Sequence, residues 1–199
     1  GRRHKNGVIN KVSGVTRSEA KTERDWIRRI ALQGKDHLRI RSAEEKDVGL
    51  ILHMIRALAE YERMADQVTA TEALLVEWLF EKRVAEVLIA ESGEKAVGFA
   101  LYFFNFSTFL GKAGIYLEDL YVLPEYRRRG IGKRLLQTLA SKAVQRGCGR
   151  LEWSCLDWNE ASIRFYRSLG AAAMSDWTVY RLTGETLAAL AGGVSEPDR

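Results

Sequence analysis

Residues 125–136 read EYRRRGIGKRLL, and within them Gly130 and Gly132 stand where a polar stretch gives way to a helical repeat. Downstream, Ile131, Leu135, Leu136, Leu139 and Ala143 recur on one face while Lys133, Arg134, Gln137 and Lys142 take the other, until Gly147 ends the run. Upstream, AGIYLEDLYV (113–122) reads as a strand. The glycines therefore sit where a strand ends and a helix begins. There the first-turn N–H groups have no helical partner, and the aligned peptide dipoles favour an anion. Glycine lets the backbone approach closely, and arginine adds charge-assisted bonds. The stretch reads as a phosphate cradle.

The common nucleotide loops do not fit it. A Walker loop needs glycine where Arg127 stands and Ser/Thr where Arg134 stands; a dinucleotide fingerprint needs glycine at Leu135.

Working outward, LRIRSA (38–43) alternates like a strand, and Ala43–Asp47 opens a helix carrying Val48, Ile51, Leu52, Ile55, Leu58 and Ala59. A second helix is expected over about 71–82. VAEVLIAE (84–91) and KAVGFALYFFNFST (95–108), joined by the turn SGEK, precede the cradle strand as an antiparallel meander. Beyond the cradle helix, RLEWSCL (150–156) completes a strand–helix–strand unit and hence a parallel crossover. Asn159 starts a short helix that Gly170 stops, DWTVYRLT (176–183) reads as a strand, and GETLAALAG (184–192) reads as a last helix.

The 199-residue chain carries a net charge of +5, and its placement decides what it means. Residues 1–37 hold ten Lys/Arg and four Asp/Glu, against 21 and 22 in the rest. The body is near neutral, which disfavours a nucleic-acid-binding domain; DNA contact through the leader stays open, as does an interaction arm, a targeting segment or a merely solvated extension. No apolar run approaches the roughly 20 residues of a membrane helix, and no secretory segment is evident, so a cytoplasmic protein without membrane contact is expected. Two cysteines, Cys148 and Cys155, and three scattered histidines, His4, His37 and His53, offer no metal-ligand spacing.

The pattern R127-x-x-G130-x-G132 after LEDLYVLPEY, followed by NEASIRFYRSLG (159–170), resembles the GNAT superfamily of acyl-CoA-dependent N-acetyltransferases. LAEYERMADQV, YLEDLYV and WNEASIRFYRSLGA resemble its spermidine/spermine (diamine) branch. The resemblance implies an α/β fold with a mixed, mostly antiparallel central sheet, splayed at a central parallel strand pair and flanked by helices. It implies an acetyltransferase domain over 38–190, a basic extension over 1–37 and a tail over 191–199.

It also implies acetyl-CoA as the cosubstrate, and no metal is expected. Binding falls by resemblance to Leu120, Tyr121 and Val122 at the strand end, to Arg127, Arg128, Arg129, Gly130, Ile131, Gly132 and Lys133 in the cradle, and to Ser162. Asn159 either binds the cofactor or only caps its helix. The branch resemblance implies a small diamine or polyamine as acceptor; a lysine analogue, another small amine, a peptide amine and a non-catalytic acyl-CoA sensor are the alternatives. The resemblance also implies a homodimer.

Acyl transfer needs a neutral amine, whereas alkyl amines near pKa 10.4 are protonated at pH 7, so a carboxylate must take a proton. Glu118 and Asp119 are adjacent acids within a strand, where a bulge would aim both into a cleft. By resemblance Glu118 accepts the proton and Asp119 holds the amine, with Tyr61 and Glu62 lining the acceptor side and Asp66 and Glu152 as weaker acidic candidates. Tyr61 and Glu62 read equally as a core-edge aromatic and a solvated helix-end acid. Asn159, Ser162 and Tyr166 share one helical stripe, and Tyr166 is the candidate acid for the departing thiolate. Neither cysteine has a nearby His to activate it, so direct transfer in a ternary complex is preferred to a covalent route.

Overall fold

A computed structural model of the chain describes residues 37–192. The basic extension, apart from His37, and the tail from residue 193 lie outside the described residues. The chain divides into two compact units, one ending at Ser154 and the other beginning at Cys155.

In the first unit, β1 (Leu38–Ser42) leads through a 3-10 turn at Glu45–Asp47 into α1 (Val48–Tyr61). The turn is fixed by charge: both Asp47 oxygens accept from the Arg41 guanidinium, at 2.7 and 2.9 Å, and Oδ2 also takes the Glu44 N–H at 2.8 Å. Arg41 Nε donates to Glu91 across the sheet at 2.7 Å. Buried Asp47 is thus fully paired, as a charge leaving water must be.

α1 buries Ile51, Met54 and Leu58 in a cluster with Val87, Ile89, Phe99 and Tyr121, which lie on three strands of the sheet. The second helix starts as expected, with the Thr71 hydroxyl accepting from Leu74 N at 3.2 Å. It is α-helical only over α2 (Glu72–Leu75) and widens into a π-helix over Val76–Glu81.

Next come β2 (Glu86–Ser92), β3 (Lys95–Ser107) and β4 (Lys112–Val122), then α3 (Ile131–Gln145) and β5 (Leu151–Trp153). The sheet order is β1-β2-β3-β4-β5, antiparallel throughout except for the parallel β4–β5 pair. That is the mixed sheet the resemblance implies. α3 buries Ile131, Leu135, Leu136, Leu139 and Ala143, the stripe read from the sequence.

The strand expected over 150–156 is shorter. Its ladder with β4 runs only from Ile115↔Leu151 to Leu117↔Trp153, so β4 continues five residues past the end of its partner. This divergence splays the parallel pair.

The second unit holds α4 (Glu160–Ser168) and α5 (Gly184–Ala191). The strand expected over 176–183 does not form: the segment has no regular structure, and Trp177, Val179 and Tyr180 are exposed. Alternation specifies a strand only where a sheet edge receives its backbone groups, and no described strand pairs with this segment.

Candidate active site

The cradle is built by the chain leaving β4. Pro124–Tyr126 forms a 3-10 turn in which Tyr126 N and Arg127 N donate to Leu123 O and Pro124 O. Arg128 follows at φ 62 and Gly130 at φ 81, both left-handed, and Gly130 caps α3 without a side-chain bond. Nothing lies within 4 Å of a Cβ placed on Gly130, so the backbone conformation and not space requires glycine there. The first helical bond is Arg134 N to Gly130 O at 3.0 Å, which leaves the Ile131, Gly132 and Lys133 N–H groups without an intrahelical acceptor. Such a terminus fits phosphate oxygens.

The arginines differ in their surroundings. The Arg129 guanidinium lies 5.0 Å from the Tyr126 ring centre, and Lys95 Nζ lies at the same distance from it. Arg128 is exposed. Arg127 is half-buried, its guanidinium over two rings, 4.6 Å from the centre of Tyr61 and 5.3 Å from that of Tyr121, and its Nε donates to Val122 O at 2.9 Å.

The acidic pair meets the bulge that its sequence suggested. Leu101 pairs with Asp119 and Tyr102 with Leu117, which leaves Glu118 as the extra, exposed residue. Asp119 is half-buried, and its alternation with Tyr121 puts it on the sheet face that α1 covers. Burial first, then the negative charges of Glu118 and Glu62, pushes the Asp119 carboxyl up to about 7. Burial alone raises Glu62, which follows the last residue of α1. The structure thus brings Glu62, Glu118 and Asp119 into one electrostatic group, with Tyr61 beside it.

Leu120, Tyr121 and Val122 pair with Ala100, Phe99 and Gly98 on one side, beyond the reach of the β5 ladder on the other. Asp66 is exposed on a separate turn, Ala65–Gln67. Glu152 is engaged elsewhere, 2.8 Å from Arg150 Nε and accepting from Asn105 Nδ2 at 3.0 Å.

In the second unit, Asn159 is buried and its Oδ1 accepts from Ser162 N at 3.3 Å, so the capping half of its expected role is met. Tyr166 lies seven residues along α4, half-buried, its ring 5.4 Å from that of Phe165.

A carboxyl group poised near neutrality at the end of a strand that runs into an anion cradle suits amine acylation. Residues 52–171 match the Acetyltransferase (GNAT) family. The chain belongs to the GNAT family. It is therefore an acetyltransferase, of a family whose acyl donor is acetyl-CoA.

Among GNAT relatives, a thialysine N-epsilon-acetyltransferase of Bos taurus is 41% identical over 165 residues, covering 77% of this chain and 96% of that one. An L-ornithine N5-acetyltransferase of Arabidopsis thaliana is 33% identical over 198 residues, covering 76% and 87%. A spermidine/spermine N(1)-acetyltransferase-like protein of Homo sapiens is 37% identical over 163 residues, which span 76% of this chain and 23% of that longer one. The diamine-branch resemblance is borne out at this level. Among the described residues no His/Cys/Asp/Glu group could hold a metal, and no helix is long and apolar enough to cross a membrane.

The sequence did not disclose how Arg127 is used. Its ring partners, Tyr61 and Tyr121, lie 66 and six positions away, and no local pattern announces a contact of that span.

Proposed function

We propose that the chain transfers the acetyl group of acetyl-CoA to a primary amine of a small cationic substrate, of diamine or lysine-analogue type, directly within a ternary complex. The observation that carries this is the Asp119 carboxyl, held near 7 beside Glu118 and Glu62 on the strand that enters the cradle.

A protonated alkyl amine is attracted to such a group, where two carboxylates remain to hold positive charge while the third takes the proton. The sequence pointed to Glu118 as the proton acceptor. A carboxyl titrating near neutrality is better matched to that task, so the proton goes to Asp119, while Glu118 and Glu62 hold the cation.

Acetyl-CoA supplies the reactive thioester and a pyrophosphate. The first-turn N–H groups of Ile131, Gly132 and Lys133, with Arg128 and Arg129, are the groups offered to the pyrophosphate; Leu120, Tyr121, Val122, Asn159 and Ser162 complete the proposed cofactor contacts. The amine nitrogen forms the new bond to the acetyl carbon, the C–S bond breaks, and the Tyr166 phenol protonates the departing sulfur. Thialysine and ornithine, named for the relatives, each carry a side-chain primary amine beside a second amino group, which suits a three-carboxylate site. The expected protein is a homodimer by analogy with the family, cytoplasmic for want of an apolar targeting run, and without a nucleic-acid partner because its body is near neutral.

The test is release of free CoA thiol across putrescine, spermidine, spermine, thialysine, ornithine, lysine and an N-terminal peptide. Saturating turnover on a small diamine or lysine analogue supports the assignment. Acetyl-CoA binding without thiol release from any amine overturns it in favour of a sensor.

A further inference from the structure

Cradle arginines are expected to face a phosphate, yet the Arg127 side chain is taken up by protein. Its guanidinium lies over both the Tyr61 and Tyr121 rings, at 4.6 and 5.3 Å from their centres, while Nε donates to Val122 O at 2.9 Å. Its own N–H is used by Pro124 O at 3.2 Å. One residue therefore joins the cradle loop, the end of β4 and the last residue of α1.

We propose that Arg127 is a positioning residue of the acceptor site: by clamping Tyr61 against the end of β4, it sets the adjoining Glu62 relative to Asp119. This role depends on the chain being the amine acetyltransferase proposed above.

The clamp acts where the backbone most needs one. α1 ends at Tyr61, and the chain turns at once through Glu62 into Arg63 at φ 62. Helix ends fray unless held, and Tyr61 is the ring that anchors this one to the loop. A planar guanidinium fits between two rings and still offers an edge N–H to a carbonyl; a lysine ammonium can do only one of these. Asp119 faces Glu118 on its own strand and Glu62 beyond α1, while β3 sets uncharged Leu101 opposite it. If Glu62 is released, one of the two negative charges acting on Asp119 recedes and its carboxyl titrates lower.

Arg127→Lys, Tyr61→Leu and Tyr61→Phe separate this role from cofactor binding. For Arg127→Lys and Tyr61→Leu, the amine KM is expected to rise about tenfold and the acid limb of the kcat/KM profile to move down by about half a pH unit. Acetyl-CoA affinity, read by calorimetry, should stay within about twofold. Tyr61→Phe, which keeps the ring that Arg127 touches, should leave the acid limb where it stands in the wild type, and the Arg127→Lys/Tyr61→Leu double variant should be no worse than either single one.

Weakened acetyl-CoA binding in Arg127→Lys, with the amine KM and the acid limb unmoved, overturns the role and returns Arg127 to the pyrophosphate. Should Arg127→Lys not fold, Tyr61→Leu carries the same decision. If the wild-type protein acetylates no amine, the proposed function fails by itself. Carbon-13 NMR titration of Asp119 then still decides the clamp: a lowered titration point in Tyr61→Leu supports it, and an unchanged one overturns it.

Discussion

The carboxylate of Glu62, just past the end of α1, bears on that of Asp119 in β4 and helps hold it protonated up to about pH 7. An acid 57 positions away in sequence thereby adds to the burial and the Glu118 charge that raise Asp119. Glu62→Gln removes that repulsion while keeping the shape. Asp119 should then lose its proton at lower pH, and the acid limb of kcat/KM should shift down with it. A pH profile of the variant with an unmoved limb would show that another group controls it.

Asp119→Asn keeps the volume and loses the proposed proton acceptor. General-base removal typically costs about 10²–10⁴ in rate, so kcat should fall by about that factor and the acid limb should vanish. Glu118→Gln should chiefly raise the amine KM, since Glu118 is the exposed bulge residue and in this scheme holds charge. Steady-state kinetics on both variants checks the division of labour.

Gly98→Ala tests the backbone under the site. A Cβ at Gly98 would stand 2.7 Å from Tyr121 O, a backbone atom that cannot swing aside. The strands must part, at about 1–3 kcal/mol of stability, which a urea midpoint would register.

Asp47→Ala addresses the charge network at the start of α1. Breaking a paired, largely buried carboxylate should cost about 2 kcal/mol or more at pH 7. Arg41, then the Glu44 N–H, hold the Asp47 carboxyl below its ordinary range. Its stabilisation is therefore present above the unfolded-state pKa and lost as pH falls through the folded-state value. Denaturation curves of wild type and variant should converge as the pH falls below the ordinary aspartate range.

Periodicity made most of the fold legible. The α3 stripe, the Asn159 cap and the β2–β4 meander follow from spacing and turn residues, because each depends on neighbours within a few positions. The segment at 176–183 shows the converse: its alternation is strand-like, but pairing depends on an edge elsewhere in the chain. The π-helical widening at Val76–Glu81 likewise leaves no mark in apolar spacing.

At the site, the acidic pair was legible because two adjacent charges in an otherwise apolar strand are costly, and the bulge at Glu118 accommodates them. The contacts of Arg127 with the Tyr61 and Tyr121 rings and the bearing of Glu62 on Asp119 were not. Both arise where the end of α1 meets the end of β4, a juxtaposition that only the folded chain creates.

The raised carboxyl of Asp119 also weighs on folding itself. An unfolded aspartate titrates near 3.9, and this one is held near 7. Between those points the folded chain binds the extra proton, so stability declines as pH climbs through the interval, by about 4 kcal/mol in all. Above neutrality the protein folds against a buried negative charge. In the proposed reaction a bound cation that neutralises the cluster offsets the deficit, so the amine substrate is expected to stabilise the fold, most strongly on the alkaline side.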